Sequence, residues 1–406
     1  MADCIIPEGY KKTSLGVIPK EWEVKRLGDL LLRCANGLTY DVSMTHGISV
    51  TRIETISTGK INYQKVGFIP NEIGYENFKM EQGDILYSHI NSLSQIGKVA
   101  YYNGDKKLYH GMNLLLLRAN MYVSQQYLYY VLLTEYMRHM AQIIAKPAVN
   151  QASISTGDLK KIRILVPPLE EQQKISEVLS VWDKVIEKQT QLIEKLELRK
   201  KGLMQQLLTG KKRLPGFSGE WKKVKAGLLF GSSSIRSNKL EPLLSVTQDK
   251  GVVPRDMLET RVTMPNGDLS SFKLVDVGDF VISLRSFEGG LEYSKYRGIV
   301  SPAYTVLKKK TDLSDVFYKV YFKSNDFIQR LAVAVIGIRD GKQISYSDFC
   351  YIKIPYPSLQ EQNAIANVFV SCDDEILLAK QKLNHFQQQK KGLMQVLLTG
   401  KKRVTQ

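Results

Sequence analysis

Cysteine, histidine and long apolar runs are all scarce in this chain. Four cysteines, Cys4, Cys34, Cys350 and Cys372, are spread over 406 residues, and none forms a C-x-x-C pair. That spacing predicts free thiols in a reducing compartment, not a disulfide framework. The five histidines, His46, His89, His110, His139 and His385, are scattered, and no two have zinc-ligand spacing. No apolar run reaches the roughly 18 residues of a membrane span, and Met1 to Lys12 contain no apolar stretch of signal-peptide length. No G-x-G-x-x-G follows a strand. Gly210-Lys211-Lys212 and Gly341-Lys342-Gln343 lack the earlier glycine and the hydroxyl residue of a phosphate-binding loop. The sequence therefore predicts a cytoplasmic chain with no membrane segment, no metal, no bound cofactor and no catalytic residue of its own.

Positive charge is abundant. There are 57 Lys and Arg against 40 Asp and Glu, a net +17. Such a surplus gains affinity for polyanions by displacing counterions from phosphate, so nucleic acid is the expected partner. The length allows two to three domains with full cores.

The second feature present is an internal repeat. Lys200-Lys201-Gly202-Leu203-Met204-Gln205 through Leu207-Leu208-Thr209-Gly210-Lys211-Lys212-Arg213 returns from Lys390 to Arg403, with only Gln206 changed, to Val396. The offset of 190 also carries Pro167-Pro168-Leu169-Glu170-Glu171-Gln172 onto Pro357-Ser358-Leu359-Gln360-Glu361-Gln362. Solenoid repeats have periods of roughly 20–50 residues, so this is a duplicated module. Four segments follow: globular 1–165, helical 166–209, globular 210–355, and helical with a basic tail 356–406. The globular copies have diverged further but share Glu21-Trp22 with Glu220-Trp221, and Gly83-Asp84 with Gly278-Asp279.

Both helical segments carry a seam in steps of four and three. The first runs Ile175, Leu179, Trp182, Ile186, Gln189, Ile193, Leu196, Lys200, Leu203, Leu207. The second runs Ile365, Phe369, Cys372, Ile376, Ala379, Leu383, Phe386, Lys390, Leu393, Leu397. This is coiled-coil spacing. Gln189, Lys200 and Lys390 interrupt it and are expected to fix register. Pro168 and the acids behind it suit a helix start, and Gly210 and Gly400 suit a left-handed stop. A helix from about 170 to 208 spans roughly 58 Å at 1.5 Å per residue, whereas the link from Thr209 to Gly219 reaches at most about 40 Å. The expectation is an antiparallel helix pair with a globular body at each end.

The tandem layout, the P-P-L-x-E-Q helix entry and the K-K-G-L-M-Q-x-L-L-T-G-K-K-R exit resemble the specificity subunit of Type I restriction-modification systems, over essentially the whole chain. The resemblance implies two mixed α/β (α+β) target-recognition domains on long antiparallel coiled-coil helices, related by a pseudo-twofold. Each domain would read one half of a bipartite double-stranded DNA site. The helices would set the spacing and dock two methylation subunits. Catalysis would lie in the partners: methylation subunits using S-adenosylmethionine, and restriction subunits using ATP and Mg. Val166-Pro167-Pro168-Leu169 is similar to the tetrapeptide of adenine methyltransferases, but it lacks the polar first residue and the closing aromatic. The alternative reading, a self-sufficient DNA-modifying enzyme, would need a cofactor or metal motif that the sequence does not offer.

Base readout uses Arg or Lys for guanine and Asn or Gln for adenine, on loops that can enter a groove. The first body offers His89, Asn91, Ser92 and Gln95 after the Gly83-Asp84 strand, and Lys146, Asn150 and Gln151 before the helix. The second offers Arg285 and Ser286, and Arg339, Lys342 and Gln343, at the matching places, with Arg236 a weaker candidate. Asn36 to Tyr40, Arg52, Ser233 and Ser234 are weaker candidates too. Lys211, Lys212, Arg213, Lys401, Lys402 and Arg403 are expected to serve the helix ends more than phosphate.

Overall fold

The computed structural model of the chain describes residues 6–71, 74–149, 151–236, 240–258, 269–335 and 344–404. The chain divides into two compact units, Met1–Lys188 with Leu383–Gln406, and Gln189–Lys382. The division falls within the two long helices, so each unit holds one globular body and a stretch of both.

In the first unit a four-stranded sheet runs in the order Leu31–Asn36, Leu115–Ala119, Ile85–Tyr87, Val99–Tyr101, every pairing antiparallel. Successive strand side chains point to opposite faces, and both faces here are apolar. Ile85, Tyr87, Leu115 and Leu117 pack towards the helix Gln125–Leu132 and the long helices. Leu86, Leu114 and Leu116 face the other way, onto Ile56, Met80 and Leu108. A sheet buried on both faces reads as continuous apolar runs, and Leu114 to Leu117 is one. The second unit repeats the order with Phe230–Ser233, Thr305–Lys309, Phe280–Ile282 and Glu292–Tyr293. Phe280, Ile282 and Leu307 face an aromatic cluster of Phe317, Tyr318, Tyr321 and Phe322, while Val281 and Val306 face Leu244, Val275 and Val300.

The shared Gly-Asp pair makes the same turn in both bodies. Gly83 and Gly278 adopt φ of +100° and +97°, a region open to glycine at little cost. Asp84 accepts the Glu81 backbone N–H at 2.7 Å and two hydrogen bonds from Arg118 at 2.8 Å each. Asp279 accepts the Asp276 N–H at 2.8 Å and one bond from Lys308 at 2.8 Å. A guanidinium thus holds the turn in one body and an ammonium holds it in the other.

The long helices span Leu169–Leu207 and Leu359–Leu397, 39 residues each. Every seam position named from the sequence is buried or half-buried. In the first unit Asp183 accepts from Lys390 at 2.5 Å, and Glu171 meets Arg403. In the second unit Gln189 donates to the Ala379 carbonyl at 2.9 Å, Lys200 pairs with Asp373 at 2.5 Å, and Arg213 meets Glu361. Within each unit rising numbers on one segment meet falling numbers on the other, so the segments run antiparallel. The three polar seam residues each hold a specific partner, as register pins do.

The duplicated motifs converge once in each unit. Glu171 Oε2 accepts the Trp22 indole N–H at 2.9 Å, and its Oε1 accepts Arg403 Nε at 2.6 Å. Glu361 receives Trp221 at 3.0 Å and Arg213 at 2.5 and 2.7 Å. Helix-exit arginines therefore bind helix-entry glutamates, and the Trp of each Glu-Trp pair completes the set. The neighbouring amides tie helix to body: Gln172 accepts the Ser124 N–H at 2.7 Å, and Gln362 the Ser314 N–H at 2.9 Å. Gly400, at φ +71°, lies so close to Pro19 that a Cβ would come within 2.5 Å of the ring.

Candidate nucleic-acid interface

Two loops that the sequence presented separately form one surface in the first unit. Lys146–Ala148, Gln151–Ser153 and Ile90–Asn91 make a three-stranded antiparallel sheet. Ala152 pairs with Asn91, and Ser153 with Ile90. The segment around Ser92 and the hairpin carrying Lys146 and Gln151 are thereby brought side by side. Asn36, from a third segment, lies 3.3 Å from His89 Nε2 and donates to the Met112 carbonyl at 2.9 Å.

Asn91 donates to Ser88 Oγ at 3.1 Å and accepts the Ser92 N–H at 2.8 Å, which fixes its amide. Ser92 is exposed and Gln95 half-buried, held in a turn by the Gln95 N–H to Ser92 carbonyl bond of 2.9 Å. Lys146 and Gln151 are exposed. Lys146 makes a long, solvent-exposed ion pair with Asp158 at 3.9 Å.

Two predicted contact residues are not on the surface, which corrects their reading as direct base contacts. His89 is buried behind Asn36. Ser286 is also buried, and its Oγ accepts the Ser283 N–H at 2.8 Å, which closes the turn. His89 continues the buried run of the strand that begins at Ile85, and Ser286 opens the short helix Ser286–Gly289 with its side chain folded back onto the turn. In the same turn Arg285 is exposed and its guanidinium has no hydrogen-bond or ion-pair partner among the described residues. Arg236 is exposed and its charge acts on Lys273, whose ammonium burial holds below its ordinary range. Asn150, Arg339, Lys342 and Gln343 lie outside the described residues.

The sequence reading missed the apolar members of this surface. Leu93, Met112 and Val149 are exposed around it, Val149 at 92%. An isolated apolar residue carries no periodic signal, so nothing in the sequence marked these three. It also placed Arg213 and Arg403 as helix-end charge ahead of phosphate contact, and the structure gives each a carboxylate.

Burial pushes the imidazoles of His89 and His110 down to about 4. Both are neutral at pH 7 and offer no cation to phosphate. An unfolded histidine titrates near 6.5. Between about 6.5 and 4 the unfolded chain binds more protons, so stability of the first unit falls as pH falls through that window. The expected loss is on the order of 3 kcal/mol per histidine by pH 4. Urea unfolding at pH 7 and pH 4.5 should show it, and the pair His89→Gln and His110→Gln should flatten the pH dependence. An equal slope in wild type and variant would contradict the assignment.

Among the described residues, no helix is long and apolar enough to cross a membrane.

Comparison with known proteins agrees with this geometry. The family model "Type I restriction modification DNA specificity domain" matches residues 19–198. The chain is 35% identical over 424 residues to the putative type I restriction enzyme MjaX specificity subunit of Methanocaldococcus jannaschii, covering 98% of this chain and 97% of that protein. It is 28% identical over 215 residues to the MjaVIII specificity subunit of the same organism, covering 51% of this chain and 50% of that one. Among solved structures, the Type-I restriction-modification system S subunit from M. genitalium aligns with a TM-score of 0.54 at 15% identity, covering 93% of this chain and 96% of that one. A chain solved for complex assembly and conformational transition of the type I R-M system aligns at 0.59 and 16%, covering 94% and 99%. These two share the fold. The near full-length identity to MjaX decides the family: the chain belongs to the specificity subunits of type I restriction-modification systems, and its role is DNA recognition.

Proposed function

We propose that each globular body reads one half of a bipartite double-stranded DNA site, residues 1–165 one half and residues 210–355 the other. The long helices, 166–209 and 356–406, set the half-site separation and dock two methylation subunits. This chain performs no chemistry of its own. Methyl transfer from S-adenosylmethionine and ATP- and Mg-dependent cleavage belong to methylation and restriction partners in the cytoplasm. Ser92, Gln95, Lys146, Asn150 and Gln151 serve the first half-site, with Asn91 and His89 positioning their loop. Arg236, Arg285, Arg339, Lys342 and Gln343 serve the second, with Ser286 shaping the Arg285 turn.

The observation that carries this reading is the joining of the Ile90–Asn91 strand with the Lys146–Ser153 hairpin. It collects amides and an exposed cation from distant sequence on one surface. Such residue types at a surface match the hydrogen-bonding edges of bases in the major groove.

Arg285→Ala tests it. In the complex with methylation subunits, discrimination at one position of the second half-site should fall by about 1–3 kcal/mol, roughly 5- to 150-fold. The first half-site should be untouched. Competition binding with half-site variants reads the difference. Equal weakening on every duplex would make Arg285 a phosphate contact and remove it from base readout.

A further inference from the structure

The second unit contains a cleft lined by none of the residues proposed for DNA readout. Its volume is about 510 Å³, within the range of small-molecule sites. One wall comes from the Gln248–Val253 turn, another from the Glu292–Tyr296 strand end, and a third from Lys319 and Lys323. Lys200 and Asp373, which also line it, are paired with each other at 2.5 Å. Lys323 donates to Glu292 Oε1 at 2.5 Å and to the Gly289 carbonyl at 3.0 Å. Lys250, Lys295 and Lys319 remain, with Asp249 the one lining carboxylate left to face them. The Lys319 ammonium stands 5.8 Å from the Tyr293 ring centre.

Two observations set this cleft apart from ordinary basic surface. Glu292 is only 1% exposed, and its Oε2 has no hydrogen-bond partner. A buried oxygen without a donor is rare and calls for one. Burial also raises the Glu292 carboxyl to about 7 and lowers the Lys319 ammonium. Second, the first body does without these groups. In strand register Glu292 stands opposite Val281 as Ala100 stands opposite Leu86. Counting from the equivalent residues Ser124 and Ser314, Lys319 and Lys323 take the places of Tyr129 and Leu133. Apolar residues therefore suffice for the fold at these positions. An ion pair with one partner buried is often no more stabilising than apolar residues in its place, so the fold alone does not account for it.

We propose that this cleft binds a nucleotide. Lys250, Lys295 and Lys319 hold its phosphates, the base lies against Tyr293 and Tyr296, and a ligand hydroxyl or amino group donates to Glu292. Lys323 is a positioning residue, fixing the Glu292 carboxyl. A cation cluster alone would fit any phosphate. The carboxyl and the two rings select a ligand that is anionic at one end and aromatic, with donors, at the other. A continuous DNA backbone lacks that polarity.

Calorimetric titration of the full chain with ATP and GTP, at constant ionic strength, tests the proposal. At least one should bind. Tripolyphosphate and the free nucleoside should each bind at least tenfold more weakly. Lys295→Ala, at an exposed position, should weaken nucleotide binding at least fivefold while leaving thermal unfolding unchanged. Lys319→Gln should do the same. Absence of binding by both nucleotides overturns the proposal, as does binding that ignores both substitutions. Tripolyphosphate binding as tightly as nucleotide, or displacement of nucleotide by a duplex lacking the recognition site, would assign the lysines to phosphate of another source and also overturn it.

Discussion

Glu171→Ala is expected to cost the first unit about 2–4 kcal/mol. Breaking a buried ion pair by removing one partner typically costs about 3–5 kcal/mol, because the other charge is left unpaired. Here Glu171 is buried but Arg403 is about one-third exposed and keeps Glu21 at 2.9 Å, so part of that cost returns as hydration and through the remaining pair. The loss of the Trp22 N–H acceptor adds to it, since the indole is fully buried and Glu171 is its acceptor at 2.9 Å. For a unit of about 200 residues, 1 kcal/mol shifts Tm by about 2–4 °C, so a fall of roughly 4–16 °C should appear by calorimetry. Glu361→Ala should act likewise on the second unit, where Trp221 loses its acceptor and Arg213 its carboxylate. A double-mutant cycle of Glu171→Ala with Arg403→Ala isolates the pair term. A shift under 0.5 kcal/mol, on the order of a neutral surface change, would show that the convergence of these motifs is not what closes the unit.

Replacement of residues 1–165 by the body of another family member should change one half of the methylated sequence completely and leave the other half intact. The structure sets the conditions for that chimera. The incoming body must supply a Trp for Glu171 and a backbone N–H for Gln172, because those two bonds attach the body to its helix. Adenine methylation mapped in cells carrying the chimera is the measurement. Loss of both halves together, in a chimera that still assembles and methylates, would overturn the modular reading. Retention of the original first half would place its readout outside residues 1–165.

Much of this protein was legible because its repeat is local and periodic. The seam in steps of four and three depends on helix geometry alone. It marked both long helices, which the structure bounds at Leu169–Leu207 and Leu359–Leu397. The Gly-Asp pairs were recognisable as shared landmarks, though their ion pairs were not. Arg118 and Lys308 lie 34 and 29 residues from the aspartates that they hold. The contact surface was legible only as residue types on loops. His89 and Ser286 had the right chemistry in the right segments, but His89 extends the buried run after its strand and Ser286 folds inward to accept the Ser283 N–H.

The sequence by itself determined the module count, the helices, their register residues and the family. Each of these is encoded within a few turns of chain or by direct repetition. Only the tertiary structure decided what the motifs do to one another. It set the arginine of one helix exit on the glutamate of the other helix entry, 232 residues away in the first unit. It joined Asn91 to Ala152 in one sheet. Pairings across such distances are chosen by burial and hydrogen-bond satisfaction over the whole unit, and no local pattern records that choice.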